Sequence, residues 1–288
     1  MALSLAQQIG GVIVNADSAQ IYRELRILSA APTDEDLRRA EHRLYGVRGG
    51  ALPCSAAEWA RMARREIGDV HASGGTPILA GGTGLYLRTL LEGIAPVPAI
   101  DPDVRARIRE TPVEENHAKL ETLDPASAAR LNRADTTRIN RALEVILSTG
   151  RTLAEWQQER SGGIASQVEI RPVILLPPRK WLYARCDDRF ARMIDAGAVA
   201  EVEALLARNL NPGLPAMRAI GVRELLTYLR GESTLDDAIA AGQQATRRYA
   251  KRQYTWFAHQ PPADWPRFKQ ALDVDALPDA LALIQTER

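Results

Sequence analysis

One short apolar run, Val12-Ile13-Val14, constrains the fold of this chain more than any other feature. The run is β-branched and does not alternate apolar with polar residues, which is the pattern of a strand buried on both faces of a parallel sheet. It therefore predicts an α/β fold. Asp17 follows the strand directly, at the edge where ligands of open parallel sheets bind. Asp17 is a candidate for chemistry, and capping of the next turn is an equal alternative.

Composition excludes several classes of protein. The chain has 288 residues, of which 45% are hydrophobic and 25% charged, as in a soluble globular protein. Its net charge of +1 gives no overall argument for nucleic acid, so any basic surface must be local. Cys54 and Cys186 are isolated and predict neither a zinc site nor a disulfide, which favours a reducing cytoplasm. We find no apolar run of about 18 residues for a membrane span, and no signal peptide pattern.

A second predicted strand, over residues 76–80, ends in the turn Gly81-Gly-Thr-Gly84 and leads into a helix. Glycines let a backbone approach a ligand closely, and amides at a helix start favour an anion. This turn alone is weak evidence for phosphate binding, since many strand-to-helix turns contain glycine. The turn is stronger evidence for a binding site because Asp17 is predicted to lie at the same edge of the sheet.

Between the two strands, residues 22–55 read as loop with one polar helix near residues 33–43. Residues 55–73 predict a second helix, with Ser55 as its N-cap and Glu58 three residues later.

A proline-rich break at residues 95–102 marks a domain boundary. Helical patterns fill residues 102–160, and a buried-strand pattern returns at residues 171–178. We therefore predict a helical insertion within an α/β core. The predicted bounds are residues 1–100 and 165–260 for the core, 101–164 for the insertion, and 261–288 for a C-terminal tail.

Two groups of arginines suggest anionic ligands. The insertion contains Arg130, Arg133, Arg138 and Arg141, which form either a solvated helical face or an RNA-binding surface. Arg185 and Arg189 lie four apart on one predicted helix face, and their planar guanidinium groups suit a pyrophosphate. Surface pairing with Asp187, Asp188 and Asp195 explains the second group equally well.

Residues 247–257 interleave cations with aromatic rings near the end of the last long predicted helix. Cations that meet phosphates and rings that stack on unpaired bases are typical of RNA binding. An amphipathic helix with buried rings and exposed cations produces the same pattern.

Five segments together, in this order, resemble the tRNA dimethylallyltransferase family: NADSAQIYR, AGGTGLYLRTLLEG, DTTRINRALEVILSTGR, LPAMRAIGVREL and ATRRYAKRQYTWF. The resemblance covers residues 1–258 almost entirely. It implies a P-loop NTPase-like parallel sheet flanked by helices, with an all-helical insertion that grips the anticodon arm. The implied reaction moves a dimethylallyl group from dimethylallyl diphosphate to N6 of adenosine 37, in tRNAs that read codons beginning with U. It also implies Mg²⁺ and a cytoplasmic protein, and we expect a monomer.

The resemblance implies roles for individual residues. Asp17 would be the general base, Thr83 would hold the substrate or, with Gly82, its diphosphate, and Arg189 with Arg185 would stabilise the departing pyrophosphate. Asp17, Thr83 and Arg189 are thus the implied catalytic residues. The segments that contact tRNA in the family correspond here to Asp17, Ser18, Ala19, Gln20, Thr83, Arg105, Thr137, Arg138, Ile139, Asn140, Arg141, Arg218, Ala219, Ile220, Gly221, Val222, Arg223, Lys251, Arg252, Gln253, Tyr254, Thr255, Trp256 and Phe257.

The chain departs from the family pattern at its start. The family begins with a strand and a Gly-x-x-x-x-Gly-Lys-[Ser/Thr] loop ahead of the helix that here begins near Ala2, and the loop hydroxyl ligates magnesium. We therefore expect a sheet that lacks its first strand, and a chain that transfers prenyl groups poorly or not at all. A misplaced start, a trimmed fragment and a non-catalytic tRNA-binding paralogue are alternative explanations. A P-loop-type small-molecule kinase is the alternative from another class.

Overall fold

The computed structural model describes residues 1–285 and consists of two compact units. The first unit contains Met1–Thr89 and Val168–Arg288, and the second contains Leu90–Gln167. The N-terminal part of the first unit forms α1 (Ala2–Ile9), β1 (Val12–Asn15), α2 (Asp34–Arg39), β2 (His42–Arg43), α3 (Ala56–Ala72), β3 (Pro77–Ala80) and the start of α4 (Gly84–Glu92).

The three strands form a parallel sheet in the order β2-β1-β3. In the middle strand, Ile13 and Val14 are 2% and 0% exposed, as expected for a strand covered on both faces. On one side, Trp59 of α3 is fully buried and its indole donates to the Asn15 carbonyl at 2.9 Å. The prediction of a parallel sheet flanked by helices is thus confirmed.

The predicted helix over residues 33–43 is wrong at its C-terminal end. The helix α2 stops at Arg39, because Ala40 adopts an extended backbone with φ −156° and ψ 157°. The next residues run beside β1, where the Ile13 amide donates to the Glu41 carbonyl at 2.9 Å. The strand β2 that follows has two residues, too few for a hydrophobic pattern to reveal it.

The second unit consists mainly of short helices: α5 (Pro102–Glu110), α6 (Val113–Leu123), α7 (Pro125–Arg130), α8 (Thr136–Thr149) and α9 (Leu153–Gln158). Their apolar faces meet in a core around Ile108, Leu120, Ile139 and Leu143. Polar caps begin several of these helices, and the predicted helices over residues 102–160 are all present in the structure.

The C-terminal part of the first unit adds β4 (Ile174–Leu175), α10 (Arg179–Asp195), α11 (Ala198–Ala207), α12 (Val222–Leu229), α13 (Leu235–His259), β5 (Arg267–Phe268) and α14 (Leu277–Gln285). The strands β4 and β5 pair in parallel, a pairing that the short, proline-flanked β5 did not reveal in the sequence. Gly221 has a φ of 93°, outside the range of a right-handed helix, and α12 begins after it. No helix among residues 1–285 is both long enough and apolar enough to cross a membrane.

Candidate active site

The buried side chain of Asn15 fixes the backbone at Asp17, just beyond the end of β1. The Asp17 amide donates to Asn15 Oδ1 at 2.7 Å, and Asn15 Nδ2 donates to the Asp17 carbonyl at 3.0 Å. Asn15 Nδ2 also donates to the Leu44 carbonyl at 3.0 Å. Because Asn15 is 0% exposed and every one of these partners is backbone, Asp17 is held in place without any ligand.

The two carboxylate oxygens of Asp17 differ in what they contact. Asp17 Oδ1 accepts from the Ala19 amide at 2.8 Å and from the Gln20 amide at 3.4 Å, which closes a tight turn. Asp17 Oδ2 accepts no hydrogen bond from the part of the chain that the structure describes. The side chain is partly exposed. Asp17 therefore caps its turn with one oxygen and leaves the other for a ligand, so the two alternatives drawn from the sequence are compatible.

Thr83 lies beside this turn. The Ser18 amide donates to Thr83 Oγ1 at 2.9 Å, and Thr83 Oγ1 donates to Ser18 Oγ at 3.2 Å. The Thr83 amide donates to the Ala16 carbonyl at 3.2 Å. The ends of β1 and β3 are thus joined by side chains as well as by backbone, and the structure brings Asp17, Ser18 and Thr83 into one cluster.

The glycines of the turn after β3 permit close contacts with other elements. A Cβ on Gly81 would lie 2.2 Å from the Ala16 carbonyl carbon, and a Cβ on Gly84 would lie 2.4 Å from the Trp256 ring. The carbonyl of Gly82 accepts from Gln253 Nε2 at 2.9 Å. The turn is therefore packed between β1 and α13, and phosphate binding by its amides stays a prediction.

Tyr249 also belongs to this cluster, although the sequence analysis did not select it. Burial raises the pKa of the Tyr249 phenol, and the nearby Asp17 carboxylate acts in the same direction. The phenol also interacts with the side chains of Thr83 and Gln253. Tyr249, Gln253 and Trp256 lie at helical spacings of four and three, so the shared face of α13 was the signal that could have identified Tyr249.

A cavity of about 520 Å³ lies next to the cluster, within the first unit. It is lined mainly by apolar side chains of α1, β3, β4, α10 and α13, together with Gly82, Gln253 and Arg185. The guanidinium group of Arg185 lies 5.0 Å from the Trp181 ring centroid. Such a cavity offers an apolar wall and one cation, which together suit an apolar chain attached to an anionic group.

The structure places Arg185 and Arg189 on one exposed face of α10. Neither arginine pairs with an acid among the described residues. The aspartate that was a candidate partner, Asp187, instead accepts from Arg247 of α13. Both guanidinium groups are therefore available for an anion, and Arg185 is the one that lines the cavity.

The basic and aromatic residues of α13 separate onto different faces. Lys251, Arg252 and Thr255 are exposed, whereas the rings of Trp256 and Phe257 are partly buried and meet edge to face at 4.8 Å. Tyr254 is also partly buried and lies under the guanidinium group of Arg179, at 5.0 Å. The exposed cations keep the predicted tRNA role, while the rings pack within the first unit.

Residues 218–223, before and at the start of α12, also combine exposed cations with buried residues. Arg218 and Arg223 are exposed, Ala219 and Ile220 are partly buried, and Val222 is fully buried. A Cβ on Gly221 would lie 2.6 Å from Leu28, so Gly221 serves packing. We therefore leave Gly221 and the side chain of Val222 out of the proposed tRNA contacts.

In the turn after β1, Ala19 is partly exposed, and the side-chain nitrogen Gln20 Nε2 donates to the carbonyls of Ser29 and Ala30 at 3.0 Å and 2.8 Å. The Gln20 side chain thus holds the loop that follows. A tRNA role for these two residues stays a prediction.

In the second unit, Thr137 and Arg138 are exposed, whereas Ile139 is fully buried. Asn140 is 8% exposed, and its Oδ1 accepts from the buried Asn116 at 3.0 Å. Ile139 and Asn140 belong to the core of this unit, and we leave their side chains out of the proposed contacts. Arg105 and Arg141 are half-buried around Glu144, as described below.

Residues 1–285 contain no group of three or more acidic, histidine or cysteine side chains that could hold a metal ion. The cluster contributes one carboxylate oxygen, from Asp17, and the hydroxyl groups of Ser18 and Thr83. Magnesium prefers octahedral oxygen ligands and often combines one or two carboxylates with substrate phosphates. The described residues therefore do not form a magnesium site on their own.

Comparison with known proteins identifies relatives of the whole chain. Residues 20–260 match the model of a family described as IPP transferase. The tRNA dimethylallyltransferase of Sphingopyxis alaskensis is 57% identical over 284 residues, which cover 98% of this chain and 92% of the relative. The tRNA dimethylallyltransferase of Novosphingobium aromaticivorans is 60% identical over 265 residues, which cover 92% of this chain and 94% of the relative.

A solved structure shares the fold. The full-length tRNA isopentenylpyrophosphate transferase from Bacillus halodurans is 29% identical to this chain, with a TM-score of 0.70. The alignment covers 99% of this chain and 89% of the other.

Proposed function

Since this chain belongs to the IPP transferase family, its activity is that of a tRNA dimethylallyltransferase, and we propose that Asp17 and its neighbours carry out the reaction. We propose dimethylallyl diphosphate as the donor and N6 of adenosine 37 as the acceptor, in tRNAs that read codons beginning with U. The observation that carries the proposal is the free Oδ2 of Asp17, held by a fixed backbone at the carboxyl end of β1.

In the proposed step, N6 forms a bond to C1 of the dimethylallyl group while the bond from C1 to the diphosphate oxygen breaks. The amine is a weak nucleophile because its lone pair is delocalised into the purine ring. Asp17 Oδ2 accepts the N6 proton as the new bond forms, and the electron pair of the broken bond leaves with the pyrophosphate. A positioned base of this kind contributes about 100-fold to 10,000-fold to the rate.

The neighbours of Asp17 orient the acceptor. Thr83 Oγ1 accepts a hydrogen bond from the Ser18 amide, next to Asp17, and the Tyr249 phenol lies near the Asp17 carboxylate. Since the ordinary pKa of a phenol is already near 10 and burial raises that of Tyr249, the phenol is protonated at neutral pH. The phenol can therefore donate a hydrogen bond to a ring nitrogen of the base or to a diphosphate oxygen. Base-modifying enzymes take their target nucleotide out of the stack, so the adenosine enters this cluster as a single unstacked base.

Arg185 and Arg189 are the proposed ligands of the pyrophosphate. Negative charge grows on the leaving group as its bond to carbon breaks, and preorganised cations stabilise that charge. Arg185 lines the cavity, and neither arginine has an acidic partner among the described residues. The apolar wall of the cavity would accommodate the five-carbon dimethylallyl chain.

We propose that Mg²⁺ reaches the site bound to the diphosphate, where it neutralises phosphate charge. No step above depends on the ion, because the described residues do not form a magnesium site on their own.

In each unit, exposed or half-buried cations are the proposed tRNA contacts. They are Arg105, Arg138, Arg141, Arg218, Arg223, Lys251 and Arg252. The net charge of +1 means that these local groups, and not the overall charge, attract the RNA. We further propose that the protein acts in the cytoplasm as a monomer.

The proposal is tested by identifying the product. The chain as printed, and the same chain preceded by a phosphate-loop strand so that diphosphate binding does not limit the comparison, are incubated with labelled dimethylallyl diphosphate, Mg²⁺ and unmodified tRNA. We expect nucleoside mass spectrometry to find dimethylallyl adenosine at position 37, and no label on a matched tRNA with guanosine 37.

Two results would contradict the proposal. Absence of transfer by both proteins, with tight tRNA binding, would identify a non-catalytic RNA-binding protein. ATP-dependent phosphorylation of a small molecule, without transfer to tRNA, would identify the kinase alternative.

A further inference from the structure

A buried carboxylate in the second unit gathers three arginines. Glu144 on α8 has a side chain that is only 3% exposed, at the contact between α8 and α5. Arg109 Nε donates to Glu144 Oε1 at 3.0 Å, and Arg105 Nε lies 3.7 Å from Glu144 Oε2. Arg141 approaches the same carboxylate oxygen, Oε2, at 4.0 Å.

The negative charge of Glu144 is buried, whereas the positive charges of the three arginines lie closer to the surface. The arginine side chains are 43%, 63% and 41% exposed for Arg105, Arg109 and Arg141, while their shared carboxylate is buried. A buried carboxylate is costly unless it is paired, so Glu144 holds these guanidinium groups close to it. No other carboxylate of the described residues pairs with the three arginines, which leaves positive charge in excess at the surface.

The contacts also leave specific donors free. Arg105 and Arg109 both turn Nε toward Glu144, and their terminal Nη groups make no hydrogen bond with a described residue. Burial lowers the pKa of Arg141, and Arg105 nearby adds to that effect, which indicates that like charges are held together here. Buried Arg105 Nε has no hydrogen-bond partner within the described chain. Without the carboxylate, the three cations would repel one another and separate.

We propose that Glu144 is a positioning residue that assembles Arg105, Arg109 and Arg141 into one cluster for the phosphodiester backbone of the tRNA. The inference rests on the proposed function, and it adds Arg109, which the sequence analysis did not select. The free Nη groups of adjacent arginines match the paired oxygens of phosphates. Glu144 itself does not touch the RNA.

The variant Glu144→Gln distinguishes positioning from simple charge. Removing a negative charge makes the unit more basic, so a purely electrostatic effect would tighten tRNA binding. If Glu144 instead positions the arginines, the variant binds more weakly. We expect the Kd for unmodified tRNA to rise about 10-fold, with kcat at saturating tRNA unchanged.

The matched control is Glu110→Gln, which removes the same charge from the exposed C-terminal end of α5 and forms no ion pair with a described residue. We expect this control to leave the Kd unchanged or slightly lower. A second variant, Arg109→Lys, keeps the charge but loses Nε, and we expect it to weaken binding about 3-fold to 10-fold. Because Arg109 is 63% exposed, this variant stays informative if Glu144→Gln unfolds the unit.

Fluorescence anisotropy with labelled tRNA measures each Kd, and circular dichroism confirms folding. Glu144→Gln or Arg109→Lys that binds tRNA as tightly as the unaltered protein, while folded, overturns the inference. The proposed function fails separately, if tRNA binding depends on Glu144 but neither the chain nor its form preceded by the phosphate-loop strand transfers a dimethylallyl group.

Discussion

Asn15 shows how one buried side chain can decide whether a catalytic group is in place. Its amide satisfies the amide and carbonyl of Asp17 and the carbonyl of Leu44, with all three hydrogen bonds between 2.7 and 3.0 Å. None of this was evident from the sequence, where Asn15 was only the last residue of a strand. Two of the hydrogen bonds join Asn15 to the backbone of Asp17, two residues away, and the third reaches the Leu44 carbonyl, which only the fold brings close.

We predict that Asn15→Ala loses about 1 to 3 kcal/mol of unfolding free energy, because it leaves buried backbone groups unpaired. It also lowers kcat, since Asp17 is no longer held. The control is Asn116→Ala in the second unit, where Asn116 is 2% exposed and also donates to three buried or part-buried acceptors. Urea unfolding and transfer assays measure both variants. Equal loss of stability with equal kcat in the two would refute the positioning role of Asn15.

Ionisation of Tyr45 makes the free energy of unfolding depend on pH in the alkaline range. Burial, with the Asp17 carboxylate nearby, raises the pKa of Tyr45 to about 12 from its usual 10. Between these pH values the unfolded chain loses the phenol proton and the folded chain keeps it. The unfolding free energy therefore falls as pH rises from 10 toward 12 and is independent of this group below 10.

Urea unfolding of the protein and of Tyr45→Phe, at pH 9 and pH 11, checks this prediction. We expect the variant to lose less stability between the two pH values. Tyr22, Tyr86 and Tyr249 contribute to the remaining slope, as do the thiols of Cys54 and Cys186, because burial raises the pKa values of all five groups. Equal slopes for the protein and the variant would show that Tyr45 ionises normally in the folded state.

Among the secondary-structure elements, long ones with clear periodicity were predictable and short ones were not. The helix α3, with Ser55 and Glu58 in a reciprocal capping box, begins where the sequence predicts. The strands β2 and β5 have two residues each, and only pairing with a distant strand makes them strands. Pairing of that kind is a long-range contact, which local pattern cannot show.

Some residues of the candidate site were also predictable from the sequence, and others were not. The sequence placed Asp17 and Thr83 at two strand ends, and their meeting follows from the rule that parallel strands end at one edge. It did not select Tyr249, because the aromatic segment of α13 suggested RNA stacking and the face that packs on the glycine turn was not distinguished. Which face of a helix is buried depends on the element it meets.

The turn between β3 and α4 has no room for a side chain at Gly81. Gly81→Ala would place a Cβ 2.2 Å from the backbone of Ala16, so the ends of β1 and β3 must separate. We expect a loss of stability of a few kcal/mol and a large loss of transfer, since Asp17 and Thr83 then no longer meet.

The control for this substitution is Gly68→Ala in the middle of α3, where a Cβ has open space. We expect this control to gain up to about 1 kcal/mol, because alanine favours a helix over glycine. Thermal unfolding measures both variants. A Gly81→Ala protein as stable and active as the unaltered one would show that the turn tolerates the extra atom.

The net charge of the whole molecule does not indicate an RNA-binding surface, whereas the local arrangement of its charged side chains does. The net charge of +1 gave no reason to expect RNA, yet three arginines of α5 and α8 surround the single carboxylate of Glu144, which leaves positive charge in excess there. The sequence suggested arginines in the insertion, but it could not show that a glutamate three residues from Arg141 is the buried partner of all three.

The central claim is that Asp17 removes the N6 proton, and Asp17→Asn tests it most directly. Asparagine keeps the size and can accept the same backbone hydrogen bonds, but it cannot take a proton at neutral pH. In single-turnover transfer at saturating tRNA, with the change made in the chain preceded by the phosphate-loop strand, we predict a rate at least about 100-fold lower, with the tRNA Kd changed less than about 3-fold. A rate close to that of the unaltered protein, or losses of equal size in rate and affinity, would contradict the assignment of Asp17 as the general base.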